Sequence, residues 1–103
     1  MKVQIQYFEG CPNWRVAERR LREALDLVGD PSPVERCPVE TQEEAERLRF
    51  SGSPTILING RDPFPAGSEA YGLTCRVYPT PKGLSGSPSL RQCIDAAVAA
   101  TSS

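Results

Sequence analysis

The chain has 103 residues, 39% of them hydrophobic and 24% charged, which fits one small globular domain over residues 1–103 and leaves no material for a second core. Twelve basic against thirteen acidic residues give a formal net charge of −1, so the charge balance points to neither nucleic acid nor an anionic membrane surface. Histidine is absent, which removes a Ser-His-Asp site, and no apolar run approaches the roughly 18 residues of a membrane span.

Val3, Ile5 and Tyr7 alternate with Gln4 and Gln6, the period of a half-buried strand. That strand-like run begins close to Met1 with no apolar leader core, and a cytoplasmic location is expected. Pro12 suits the first turn of a helix, where a missing N–H costs nothing. Trp14, Ala17, Leu21, Ala24, Leu25 and Val28 follow at helical spacing, and Gly29 closes the helix. The basic residues Arg19, Arg20 and Arg22 alternate with Glu18, Glu23 and Asp26 and read as a solvated face.

Val34 to Val39 reads as a second strand, with Pro38 suited to an edge or a strand end. Thr41 and Glu44 form a capping box for a short helix that turns Ala45 and Leu48 toward the core, with Phe50 closing its end. Ile56 to Ile58 is a short buried strand, and Asn59-Gly60 a turn. Residues 61–74 hold Pro63, Pro65, Gly67 and Gly72 and read as a long loop, the kind that carries function in compact domains. Cys75 to Tyr78 is strand-like and expected to run antiparallel to 55–58, which would put Cys75 near Asn59 and away from Pro54. Residues 79–87 read as a second loop. Its Gly83-Leu84-Ser85-Gly86-Ser87 stretch lacks the Lys-Ser/Thr ending of a phosphate loop. Ser87-Pro88 reads as the start of the last helix, with Leu90, Ile94, Ala97 and Val98 as its buried stripe. The order β-α-β-α-β-β-α predicts an α/β fold, a four-stranded mixed sheet with helices on both faces.

Cysteines stand at 11, 37, 75 and 93, in spacings that fit neither zinc nor an iron–sulfur cluster. No metal and no cofactor are expected. Cys11 falls at the mouth of the first helix, where free N–H groups and the helix dipole favour a thiolate. A reactive thiol and an inert cysteine beside the cap are both open readings of it. Ser53-Pro54-Thr55 directly precedes a strand, and from the residues alone a cis bond and a trans proline are equally open.

These two segments together, Cys11-Pro12 after a first strand and Ser53-Pro54-Thr55-Ile56-Leu57-Ile58-Asn59-Gly60, resemble the thioredoxin-like superfamily, over essentially the whole chain. The likeness implies a cis Pro54, with the Ser53 backbone beside Cys11 and open to pair with a thiol or peptide partner. It implies a docking cleft made by Pro12, Ser53, Pro54, Thr55 and Tyr78, with Trp14 as an apolar wall. Trp14 stands where a dithiol enzyme carries its second cysteine, so Cys11-Pro12-Asn13-Trp14 implies a single active-site thiol. Cys37 and Cys75 are the candidate resolving thiols. A narrower likeness, carried by residues 7–14, 52–55 and 75–78, is to small bacterial thioredoxin-family proteins labelled after alkylmercury lyase. Carbon–mercury cleavage needs two thiols and an acid, for which Cys11 and Glu9 are the residues on offer.

Two classes of function follow. In one, Cys11 is catalytic and exchanges with the thiol or disulfide of a protein or a small molecule. In the other, the domain is a non-catalytic binding module with a retired redox site, which a homodimer contact would also suit. An exposed Cys11 with a lowered pKa would favour the first, an exposed Trp14 the second, and burial of both a purely structural role.

Overall fold

A computed structural model describes residues 1–64 and 71–101. The first strand, β1 (Val3–Tyr7), is the middle of a three-stranded sheet. On one side it pairs in parallel with β2 (Val34–Pro38), Val3 opposite Val34 and Tyr7 opposite Pro38. On the other it pairs antiparallel with β3 (Thr55–Ile58), Val3 opposite Ile58 and Gln6 opposite Thr55. β2 is therefore an edge strand, which accommodates the missing N–H of Pro38.

Helix α1 (Asn13–Val28) buries Trp14, Ala17, Leu21, Ala24 and Leu25, the stripe its periodicity announces. It ends on Gly29 at φ 74°, whose N–H bonds back to the last turn. A residue with a Cβ would be strained there. α1 packs on the last helix, α3 (Leu90–Thr101), and both cover the Val3, Ile5, Tyr7, Ile56 and Ile58 face of the sheet. The short helix α2 (Gln42–Leu48) belongs to a second cluster of Val39, Ala45 and Phe50, so helices lie on both faces. Thr41 Oγ1 accepts from Glu44 N at 3.1 Å, the expected cap. Leu48, expected inward, is 39% exposed, because Phe50 takes the space beneath this short helix.

Two expectations fail beyond β3. The sheet is not one continuous four-stranded sheet. Residues 75–77 form no strand with 55–58, and their contact with the sheet is an isolated parallel bridge between Ser53 and Cys75. Strand β4 (Tyr78–Thr80) instead pairs with β5 (Gly83–Ser85) as a separate two-stranded sheet, inside the stretch read as loop. The backbone of this segment bonds to Ser53 rather than to β3, and the Arg76 side chain turns into the protein. Gly83, at φ 106°, makes the tight turn that closes the small hairpin.

The start of α3 also shifts. Gln92 N donates to Ser89 Oγ and Ser89 N to Gln92 Oε1, so Ser89 rather than Ser87 caps the helix. Its buried residues are Cys93 and Ala97, while Val98 is exposed. Of the long 61–74 loop, residues 65–70 lie outside the described residues. Among the described residues no helix is long and apolar enough to cross a membrane.

Candidate functional site: two thiols at a backbone bridge

Cys11 lies in the turn between β1 and α1, its N–H bonded to Phe8 O. The exposed Pro12 follows it at the cap position of α1, with a φ of −74°. The Cys11 side chain has no solvent exposure (0%). Among the described residues its sulfur meets no helix N–H. It meets Ser53 O at 3.5 Å and Cys75 Sγ at 2.9 Å.

The second contact overturns the expected place of Cys75, which lies beside Pro54 and Cys11 and not at the Asn59 end of the sheet. The backbone bridge accounts for it. Ser53 N donates to Thr74 O at 2.7 Å and Arg76 N donates to Ser53 O at 2.9 Å. Cys75, between these two bonds, is held over Cys11. Its own side chain is exposed. The other candidate resolving thiol, Cys37, lies on β2, accepts from Gln4 Nε2 at 3.7 Å and donates to Glu35 O. Cys93 is buried inside α3.

The residues around the bridge are tightly committed. The Ser53–Pro54 peptide is cis. Ser53 Oγ accepts from Phe8 N, and Thr55 Oγ1 donates to Gly52 O at 2.6 Å. The Tyr78 hydroxyl donates to Pro54 O, and burial pushes that phenol's pKa upward. Arg76, 5% exposed, pairs with Asp62 at 2.6 Å, donates to Thr55 Oγ1 and Phe64 O, and lies over the Tyr78 ring. Gly52, at φ 128°, lets this segment approach, for a Cβ there would stand 2.9 Å from Arg76 Cβ.

Trp14 does not form a cleft wall. It is buried and stacked on Tyr7, ring centroids 4.1 Å apart, with Arg15 and Arg36 over its ring. Nor is the Ser53 backbone open to a partner, since residues 74 and 76 hold both its polar groups. From the sequence Asp62 could meet Arg61 or Arg76, and the structure gives Arg76, though neither residue was among the expected site residues. A buried pair drawn from two punctuated segments leaves no periodic trace in sequence.

The Cys75 thiol differs from a helix-activated thiolate. Cys75 donates its S–H to Cys11. That hydrogen bond, with lesser help from burial and from charge on Cys11, holds the Cys75 pKa above the ordinary cysteine value. Burial raises Cys37 as well, assisted by Glu35. Burial pushes the Cys93 thiol up to about 11. A surface cavity of about 950 Å³ opens elsewhere, between Ile58–Phe64 and the Gln92–Ala100 face of α3, and includes neither sulfur.

Fold and site together define an α/β protein with two free thiols in contact. No protein-family model, curated protein or solved structure matches the chain.

Proposed function

We propose that this is a thioredoxin-like thiol–disulfide exchange protein whose working groups are Cys11 and Cys75, in place of a Cys-x-x-Cys motif. The observation that carries the reading is the 2.9 Å between their sulfurs, about 0.9 Å beyond a covalent S–S bond. The strand and helix order and the Ser53-Pro54-Thr55 segment beside Cys11 support the thioredoxin-like part. The reading takes the pair as a dithiol in place of the single thiol expected from the sequence, because a second sulfur stands in contact with Cys11 although Trp14 fills the usual resolving position.

Exchange through such a pair runs by attack of one thiolate on a disulfide and resolution of the mixed disulfide by the other. Oxidation with diamide, followed by alkylation and peptide mapping, tests it. A Cys11–Cys75 linkage is expected, lost in Cys11→Ala and in Cys75→Ala and kept in Cys37→Ser and Cys93→Ala. Oxidation that leaves 11 and 75 unlinked would sink the reading.

The burial of Cys11 and Trp14 favours one alternative, a purely structural role for these residues in a non-catalytic domain. In that case the thiols stay reduced under diamide and alkylation reaches Cys11 only on unfolding.

A further inference from the structure

The two thiols are unequal in access, and the backbone beside them is already filled. Cys75 is exposed, whereas Cys11 has no exposure. Any partner outside the protein therefore meets the sulfur of Cys75. Ser53 carries an N–H and a C=O next to the pair, the kind of groups that an extended polypeptide would need for strand-like docking. Both are taken by the chain itself, from Thr74 O at 2.7 Å and Arg76 N at 2.9 Å. The occupying segment is anchored and not merely laid across the site. Arg76 is buried, paired with Asp62 and bonded to Phe64 O, and Gly52 receives it at close contact.

Resting on the exchange reading above, we infer that residues 74–76 act as a built-in occupant of the docking edge, and that the pair exchanges with low-molecular-weight disulfides through Cys75. A small disulfide needs only an exposed sulfur and a line of approach. A polypeptide disulfide would have to expel a segment whose Arg76 side chain is buried.

The reaction balances as follows. Cys75 releases its proton to solvent, and its thiolate attacks one sulfur of a small disulfide RSSR. The S–S bond of RSSR breaks, Cys75–S–S–R forms, and RS⁻ leaves to be protonated. Cys11 then loses its proton and attacks the Cys75 sulfur, releasing the second RS⁻. The protein is oxidised by two electrons and one RSSR becomes two RSH. Reduction retraces these steps, with an external thiolate attacking Cys75 and Cys11 departing.

The test uses the full chain, reduced, and compares the second-order rate of oxidation by glutathione disulfide with that by the symmetrical disulfide of a 12-residue extended peptide. The small disulfide is expected to react at least tenfold faster. In Cys11→Ser the trapped glutathione adduct should map to Cys75. In the unmodified protein, amide exchange should find the Ser53 and Arg76 N–H groups protected. A peptide that reacts as fast or faster, an adduct elsewhere than Cys75, or rapid exchange at those amides overturns the inference. The parent reading fails separately, by absence of the 11–75 linkage with diamide. A linkage formed with diamide but no preference for glutathione disulfide rejects the occupied-edge inference alone.

Discussion

Cys11 and Cys75 are 64 residues apart in the chain and 2.9 Å apart at their sulfurs. The contact is not produced by strand pairing with a neighbour in sequence. It rests on two backbone hydrogen bonds at Ser53, which bring the turn before α1 and the segment before β4 to the same point.

That contact gives Cys75 a definite pH behaviour. Its pKa is raised, first by the hydrogen bond to Cys11, so its thiolate becomes abundant only above the roughly 8.5 of a free cysteine. The rate of Cys75 alkylation should therefore keep rising through and beyond pH 8.5. Removing the cause in Cys11→Ala should move the midpoint down. A midpoint that stays put in that variant would show that Cys11 does not govern it.

Gly52→Ala should be costly in a way that Gly29→Ala is not. Both glycines have positive φ, but a Cβ at Gly29 meets nothing within 4 Å, whereas one at Gly52 meets the Cβ, Cα and N of Arg76 at 2.9–3.2 Å. Gly29→Ala should cost about 1 kcal/mol from backbone strain alone. Gly52→Ala should cost about 2 kcal/mol or more and slow closure of the 11–75 linkage, because residues 74–76 must retreat. Urea unfolding and the oxidation rate measure the two effects.

The Arg76–Asp62 pair should be structural for the site. Arg76 has a side chain 4% exposed and Asp62 one 27% exposed. In Asp62→Asn a buried guanidinium loses its counter-charge, with an expected loss of about 2–4 kcal/mol, toward or below the lower end for breaking a buried pair because Asp62 keeps some solvent. Chemical denaturation of the variant checks this. A change within about 0.5 kcal/mol would place the pair among inconsequential surface ion pairs.

Glu18 supplies an acid-side prediction. It accepts two hydrogen bonds from Arg36, at 2.6 and 2.8 Å, and the first of its causes, that hydrogen bonding, lowers its pKa. A group whose folded pKa is depressed contributes stability above its unfolded value, about 4.3. That contribution fades as pH falls from there through the folded value. The stability gap between the native chain and Glu18→Gln should thus be full near neutral pH and close below about pH 4. A gap independent of pH would mean that the Arg36 contact does not depend on the carboxylate charge.

The readable parts of this chain were those with a period. β1 alternates, and α1 carries six apolar positions on one stripe, five of them fully buried. Thr41 and Glu44 announced α2. The region around Cys75 escaped because its pattern is inverted: Arg76 is buried and Val77 is 56% exposed, the reverse of what hydrophobicity predicts. A buried arginine is tolerated only with a partner, and Asp62 sits 14 residues away with no periodic link. The apolar phase of α3 was blurred by alanines on several faces, so Val98 was placed inward although it is exposed. Ser89 and Gln92 held the missed signal, a serine with a glutamine three residues on. The site was half legible. Cys11 and the Ser53-Pro54-Thr55 segment were found by motif. Cys75 was one of two candidate resolving thiols, but its place beside Cys11 required a chain path that no local rule gives.

The distance between the two thiols along the chain carries a consequence for the protein's durability. A covalent link from residue 11 to residue 75 would tie more than half the polypeptide into one ring. The chain-entropy cost it removes from folding is about 4 kcal/mol for a ring of that size. For a domain of about 100 residues that corresponds to a rise of roughly 15 °C or more in melting temperature. Oxidised and reduced forms would then differ sharply in heat resistance and in their lifetime against proteases. The same pair of sulfurs would couple the reducing power of its surroundings to how long each copy of the molecule survives.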